Sequence, residues 1–315
     1  MNFRVLYKTK VEYADLSARV YQGCSNFCKY CYCRIFCFEK GIYKDFKQTN
    51  VKSKFSGRAE LVKAIKHDIK QLSNNHSLYL YFNTDPFNTL DEEKEFTNVV
   101  IEEVLKSTNW RIYTLTKRPK VGFNKIKKVV HEFEKNELEK SREGILRFIN
   151  VDITQGKNNI CDRLWFGITI TCVNDEVHST SLGDLEMYSD RNSERVKYIA
   201  KVKELGVKTW VSMEPIIPFI VHEDGKVEYV VKNPIEIIQE FEKQNILPDL
   251  VIIGRLNHIK QFYEHGLGIR YNPKIGEMYN KWYIENVPKL LKYLREKKIN
   301  FILKKELEKT LKQYS

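Results

Sequence analysis

The chain has 315 residues, 42% of them hydrophobic and 30% charged, with a formal net charge of +12. That length supports one large or two ordinary domains around a sizeable core, and that balance excludes a disordered polymer. The apolar runs fall short of the roughly 20 residues of a membrane span, and residues 1–15 lack a signal-peptide core, so a cytoplasmic, non-membrane protein is expected.

Short apolar runs alternate with longer amphipathic ones. The first strand is predicted at "ARVYQG" (18–23), and "GCSNFCKYCYCRIFC" (23–37) follows at once. A helix over 57–72 places Leu61, Ile65, Ile69 and Leu72 on one face. A strand over 78–86, "LYLYFNTDP", leads to a helix over 91–107 that opens on acidic residues, which suit a helix N-terminus. Strands follow at 110–118, "WRIYTLTKR", and 164–172, "LWFGITITC". A helix over 193–206 runs from a Ser cap to a Gly stop. Then come a strand over 209–217, a helix over 234–244 and a strand over 249–257. The helix over 280–298 is expected to break or kink at Pro288, and "NFILKKEL" (300–307) reads as a last strand. Residues 131–160 and 258–279 read as irregular insertions, the first highly charged and expected to be mobile.

The strands are rich in β-branched and aromatic residues, as in a parallel sheet covered on both faces. Six βα repeats make a doubly wound sheet or a barrel. Several strands turn polar at their C-terminal ends, where (β/α) barrels carry their catalytic groups. Those ends hold Asn83, Thr84 and Asp85; Lys117; Thr169 and Thr171; Ser212 and Glu214; and Arg255 and Asn257. Alternation places Asn83 with Asp85, Ser212 with Glu214, and Arg255 with Asn257. Strand ends are more polar than strand middles in any sheet, so this pattern alone does not make a site.

Five of the seven cysteines lie within residues 24–37, and Cys161 and Cys172 stand apart. An odd, clustered set argues for metal or redox chemistry rather than a disulfide framework. Cys24, Cys28 and Cys31 have the spacing Cys-x3-Cys-x2-Cys, and thiolates are the usual ligands of iron–sulfur clusters. Structural zinc wants four ligands in a closed site. There is no second Cys-x2-Cys pair, but Cys33 or Cys37 could supply a fourth ligand, so zinc stays open at this point. The positive charge suits DNA or RNA, although the basic residues are spread along a lysine-rich chain.

The Cys24-x3-Cys28-x-Tyr30-Cys31 stretch, placed after the first strand, resembles the signature of the radical S-adenosylmethionine (SAM) enzymes. Residues 17–257 resemble the spore photoproduct lyase-like branch and its phage-encoded relatives. The likeness lies in the order of Tyr32, "NTDPFNTLDEE", "YTLTKRP", "WFGITITC", "SERVKYIAKVKELGVKTWVSMEPI" and "VIIGRLN". It implies a partial (β/α)6 TIM-type barrel with irregular insertions over 1–257, and a C-terminal helical extension packing on it over 258–315.

The resemblance also implies a chemistry. Cys24, Cys28 and Cys31 would hold a [4Fe–4S] cluster whose open iron chelates SAM. Reductive cleavage of SAM would give a 5′-deoxyadenosyl radical that takes a hydrogen atom from substrate. Tyr30 would pack beside cluster and adenine. Asn83, Thr84 and Asp85 would bind the SAM amino group, with Asp85 a suitable acceptor for an ammonium. That stretch departs from the commonest Gly-Gly-Glu form of the motif and matches its Asp-Pro form.

Lys117, Thr169 and Thr171 are candidates for the SAM carboxylate or ribose. Glu214 is a candidate for ribose or substrate, or else for an ion pair with Lys117 or Arg255. Cys172 is a candidate hydrogen donor, although alternation after Thr169 and Thr171 turns it outward. Cys33 and Cys37 are expected to line the following helix. The expected substrate is a nucleic-acid base in DNA repair or modification, with an electron donor such as flavodoxin or ferredoxin and a monomeric state. The alternatives are a small-molecule or peptide substrate, and a non-catalytic iron–sulfur or zinc protein that binds nucleic acid.

Overall fold

The computed structural model describes residues 4–72, 75–145, 160–173 and 175–313. Strand β1 (Leu6–Lys8) pairs antiparallel with β2 (Leu16–Ala18). The chain then forms a two-residue strand β3 (Tyr21–Gln22), the cysteine loop and helix α1 (Tyr32–Glu39). Strand β4 (Lys52–Ser53) returns to pair with β3, and α2 (Arg58–Ile69) follows. Next come β5 (Ser77–Leu80), α3 (Thr89–Lys94), α4 (Phe96–Ser107), β6 (Arg111–Thr116) and α5 (Pro119–Ile145). A single turn α6 (Ile160–Arg163) enters β7 (Leu164–Thr169), and α7 (Asn192–Glu204) leads to β8 (Lys208–Ile216). A hairpin of β9 (Phe219–Val221) and β10 (Val227–Tyr229) precedes α8 (Ile235–Glu242) and β11 (Leu250–Arg255). The chain ends in α9 (Ile259–Gln261), α10 (Pro273–Glu296), β12 (Asn300–Leu303) and α11 (Lys305–Gln313).

The main sheet runs β1-β2-β5-β6-β7-β8-β11-β12. From β2 onward every neighbour is parallel and follows in chain order. A doubly wound sheet reverses its order at a switch point; this one does not. It is the singly wound, open sheet of a partial barrel, with helices around it and a helical C-terminal part.

The two faces of the sheet are both buried, and they differ. Leu78, Leu80, Ile112, Phe166, Ile168, Val211 and Val251 pack under the helices. Tyr79, Tyr113, Trp210 and Ile252 form a separate core, with Trp165 and Leu115 packed against it. These are the alternate positions of the same strands, so they fill the concave side. Registers such as Tyr79↔Tyr113, Tyr113↔Trp165 and Gly167↔Trp210 set them side by side. Gly167 is needed there: a Cβ would lie 2.3 Å from the Trp210 indole. The aromatic plug closes the bottom of the barrel and leaves its C-terminal mouth for polar groups.

Several expected boundaries shift for identifiable reasons. The first strand ends at Ala18, and residues 21–22 pair instead with 52–53. The helix expected over 91–107 is two helices, since Glu95 takes a left-handed φ of 54°, and the first starts at an Asn88 cap that bonds the Leu90 and Asp91 amides. Residues 131–145 continue α5; the rest of that expected insertion, with its expected mobility, lies outside the described residues.

The C-terminal half shifts as well. Residues 259–267 form short helical turns, the second of π type over 262–267. Helix α10 starts at Pro273, capped by Asn272, and runs through Pro288. The missing amide at Pro288 is tolerated because Tyr279, Trp282, Tyr283, Val287, Leu290, Leu291 and Leu294 are all buried on its packed face. The last strand stops at Leu303, two residues before α11 begins, and adds a seventh parallel strand beside β11. No helix among the described residues is long and apolar enough to cross a membrane.

Candidate active site

Cys24, Cys28, Cys31 and Cys33 line one cavity of about 360 Å³ at the C-terminal mouth of the sheet. The loop that carries them is held from several sides. Gly23 takes a φ of +87° with the Asn50 carbonyl directly behind it. The buried Arg34 guanidinium bonds the carbonyls of Asn26 (2.9 Å), Phe46 (2.7 Å) and Gln48 (2.6 Å), and stacks 4.8 Å from the Phe27 ring. The Lys29 amide donates to the Leu185 carbonyl at 2.9 Å and the Met187 amide to Phe27 at 3.1 Å. Gly266, in the π turn, lets that turn reach the loop; a Cβ there would lie 2.4 Å from the Lys29 carbonyl oxygen.

The thiols differ in their surroundings. Burial pushes Cys24 up to about 12. Burial also pushes Cys28 up to about 11, opposed by Lys117. Cys31 is held below the usual thiol range by its interaction with Cys33, with the Arg34 amide and the Lys117 and Arg34 charges adding to it. The Cys33 thiol is correspondingly raised, and it also faces the Phe82 carbonyl at 3.5 Å. Cys33 lies at the start of α1, as expected, and also lines the cavity.

A zinc site would gather its sulfurs at about 2.3 Å around one ion. Among the described residues, no three His, Cys, Asp or Glu side chains converge to hold one metal ion. A four-iron cluster asks something different, since each thiolate takes its own iron. Three thiols around one cavity, with a lysine ammonium 3.3 Å from the Cys28 sulfur, fit that demand. Two orphaned acceptors fit a bound cofactor as well: Asn26 Oδ1 and Asn83 Oδ1 are buried without a hydrogen-bond partner, and both residues line the cavity.

The 81–88 segment is loop, not strand. Strand β5 ends at Leu80 and Tyr81 takes a φ of 62°. Alternation therefore does not govern Asn83 and Asp85, although both line the cavity with Thr84. The Asp85 carboxylate is fully engaged. Its Oδ1 accepts from the Phe87 amide (2.9 Å) and the Thr116 hydroxyl (2.7 Å); its Oδ2 accepts from Asn26 Nδ2 and the Lys117 amide, both at 2.8 Å. It ties the cysteine loop to the ends of β5 and β6. The open acceptor in this motif is Asn83.

Lys117 pairs with Glu186 at 3.0 Å, not with Glu214. Its ammonium also bonds the Tyr30 hydroxyl and sits 4.4 Å from the Tyr30 ring centre. Glu186 and its other partner, Arg195, are wholly buried. Burial pushes the Glu186 carboxyl up and the Arg195 guanidinium opposes that. Thr169 lines the cavity. Thr171 is fully buried and donates to Glu186 at 3.3 Å.

Cys172 is not among the residues lining the cavity. It packs under the helices, accepting from the Val177 amide (3.1 Å) and Asn192 Nδ2 (3.0 Å), and burial pushes its thiol up to about 12.

At the far side of the cavity lie Ser212 and Glu214. Burial pushes the Glu214 carboxyl up. Neither Lys117 nor Arg255 is its counter-ion. Lys304, from the end of β12, lies 4.0 Å away and is already paired with Glu12 at 2.9 Å. Arg255 donates to the Thr310 hydroxyl at 2.6 Å. A register shift between Ile253 and Arg255 brings Arg255 and Asn257 to the cavity. Gly254 clears room for the Glu214 stem, since a Cβ would lie 2.7 Å from Glu214 Cγ.

Glu186, Arg195, Lys304 and the cavity position of Cys33 escape sequence reasoning. Glu186 sits in an aperiodic stretch, and Lys304 follows a strand whose pairing partner, β11, lies far back in the chain. A signal did exist for Arg195: an arginine on the buried face of a predicted helix needs an anion.

No family model matches the chain, and no curated protein matches it in sequence. Solved structures do match in shape. Spore photoproduct lyase complexed with dinucleoside spore photoproduct superimposes with a TM-score of 0.52 at 14% identity, over 85% of this chain and 65% of that one. A point mutant of the lyase gives 0.52 at 13% identity, over 85% and 65%. Another mutant, with dinucleoside spore photoproduct, gives 0.51 at 13% identity, over 85% and 64%. The chain thus spans just under two thirds of the lyase chains it matches. It has the fold of spore photoproduct lyase, a radical SAM enzyme, which is the branch that the order of its motifs resembles.

Proposed function

We propose that the chain is a radical SAM iron–sulfur enzyme acting on a nucleic-acid base, in repair or modification. The observation that carries this reading is the gathering of Cys24, Cys28, Cys31, Tyr30, Asn83, Lys117 and Thr169 around one cavity at the mouth of this barrel. Cys24, Cys28 and Cys31 would hold the [4Fe–4S] cluster. Bound there, the cluster supplies the electron that cleaves SAM to methionine and a 5′-deoxyadenosyl radical. The protein's own part is to bind, orient and shield. The orphaned Asn83 Oδ1 suits the SAM ammonium, and Lys117 and Thr169 suit its carboxylate. Asp85 holds this wall rather than spending its lone pairs on the cofactor. Glu214, whose neighbour Lys304 is already paired with Glu12, suits ribose hydroxyls or substrate.

Cys33 lines the cavity and Cys172 does not, which supports Cys33 over Cys172 as the candidate hydrogen donor. The nucleic-acid substrate rests on the net charge of +12 and on the lyase structures solved with a dinucleoside photoproduct. A base would have to leave the stack to reach this mouth.

Substrate identity is tested by deuterium transfer. Reduced, reconstituted enzyme with SAM and deuterated DNA or RNA should yield 5′-deoxyadenosine carrying deuterium. Label-free 5′-deoxyadenosine from every nucleic acid, with transfer from a small molecule instead, would overturn the substrate assignment and leave the cofactor assignment standing.

A further inference from the structure

We infer that the buried Arg195–Glu186 pair is a positioning device that holds the Lys117 ammonium against the Cys28 sulfur, where that charge tunes the group Cys28 ligates. The inference rests on the cluster assignment above and goes beyond it. Lys117 Nζ lies 3.3 Å from Cys28 Sγ and 3.0 Å from Glu186 Oε1. Glu186 reaches Arg195 through its other oxygen, and neither side chain is exposed. Arg195 is fixed in turn by the carbonyls of Thr169 and Asp190, both at 2.8 Å. Thr171 donates to the Glu186 oxygen that Lys117 uses. Both Glu186 oxygens are thus held by donors other than Lys117. The backbone adds to the brace, because residue 28 bridges to residue 186.

Such a construction is costly for stability alone. A buried ion pair is often no better than apolar packing of the same volume. What it gives here is a cation with one fixed position beside one thiol. Reduction adds an electron to a cluster whose potential depends on net charge and on hydrogen bonds to its sulfurs. A cation donating to a ligand sulfur favours the reduced state. The anion behind the cation opposes it in part. Cys24 instead has Asp85 beside it, whose carboxylate opposes a thiolate while its backbone amide favours one. The three ligands are therefore electrostatically unequal, and Cys28 is the one with an ammonium at hydrogen-bond distance from its sulfur.

The test uses full-length protein reconstituted anaerobically with iron and sulfide, without SAM, so that any role of Lys117 toward the SAM carboxylate does not enter. The readouts are iron content and the midpoint potential from an EPR-monitored redox titration. K117M should shift the midpoint to more negative values at unchanged iron. K117R should stay near wild type. E186Q cannot serve both cations, because its NH2 faces a donor on one side, so in an E186Q background Lys117 is no longer held at the sulfur and the K117M shift should shrink. If K117M fails to take up iron, K117Q takes its place in both backgrounds. A K117M midpoint equal to wild type, or a Lys117 shift of the same size with and without Glu186, would overturn the inference with the cluster assignment intact. Wild-type protein that takes up no iron would overturn both.

Discussion

Replacing Asp85 with Ala should destabilise the protein by about 4 kcal/mol, because charged hydrogen bonds are worth about 1.5–3 kcal/mol each and stranded buried donors add their own cost. Four donors converge on this carboxylate, from the cysteine loop, the 81–88 turn and the end of β6. Asp85→Asn is the sharper test. An amide must turn its NH2 toward one pair of donors. On one side stand the Phe87 amide and the Thr116 hydroxyl; on the other, Asn26 Nδ2 and the Lys117 amide. The hydroxyl can rotate and Asn26 can flip, but neither backbone amide can change. One buried N–H is stranded either way, at about 1–3 kcal/mol. Denaturant unfolding of both variants measures this. An Asp85→Asn protein as stable as wild type would mean that the carboxylate is not the joint described here.

The second large effect is expected at Gly23. Its φ of +87° costs a non-glycine residue about 1–2 kcal/mol. A Cβ would also lie 2.1 Å from the Asn50 carbonyl oxygen. That oxygen is backbone, two residues from β4, so relief requires moving the strand that pairs with Tyr21–Gln22. Overpacking of this kind adds about 1–3 kcal/mol. Gly225 provides the control, with a similar φ of +84° and nothing within 4 Å of its would-be Cβ. Gly23→Ala should therefore cost clearly more than Gly225→Ala in thermal or denaturant unfolding, and should loosen the loop that presents Cys24. Equal losses at the two positions would show that the close approach to Asn50 carries no energy.

The sequence made the parallel strands legible because both faces of this sheet are buried, which keeps the strands apolar and rich in aromatics. Tyr79, Tyr113, Trp165 and Trp210 now have a reason: they fill the concave side below the site. The cysteine triplet was legible from spacing and from its place after the first strand. Pattern reasoning weakened where backbone leaves a regular period. Tyr81 turns left-handed, so Asn83 and Asp85 reach the cavity from a loop and divide their tasks. Cys33 faces inward because α1 begins at Tyr32, immediately after the third cysteine. Glu186 comes from an irregular stretch with no periodicity to read. Lys304 was out of reach because pairing of β12 with β11 joins residues some fifty positions apart.

On the proposed function, Cys24, Cys28 and Cys31, and not the other cysteines, hold the cluster that cleaves SAM. Single Ala variants of Cys24, Cys28, Cys31 and Cys33, reconstituted anaerobically and reduced with SAM present, test it most directly. Wild type and Cys33→Ala should each hold about four irons per chain and release 5′-deoxyadenosine. Each of the other three variants should lose the cluster and the product. Loss of iron in Cys33→Ala, or zinc without SAM cleavage in wild type, would contradict the account.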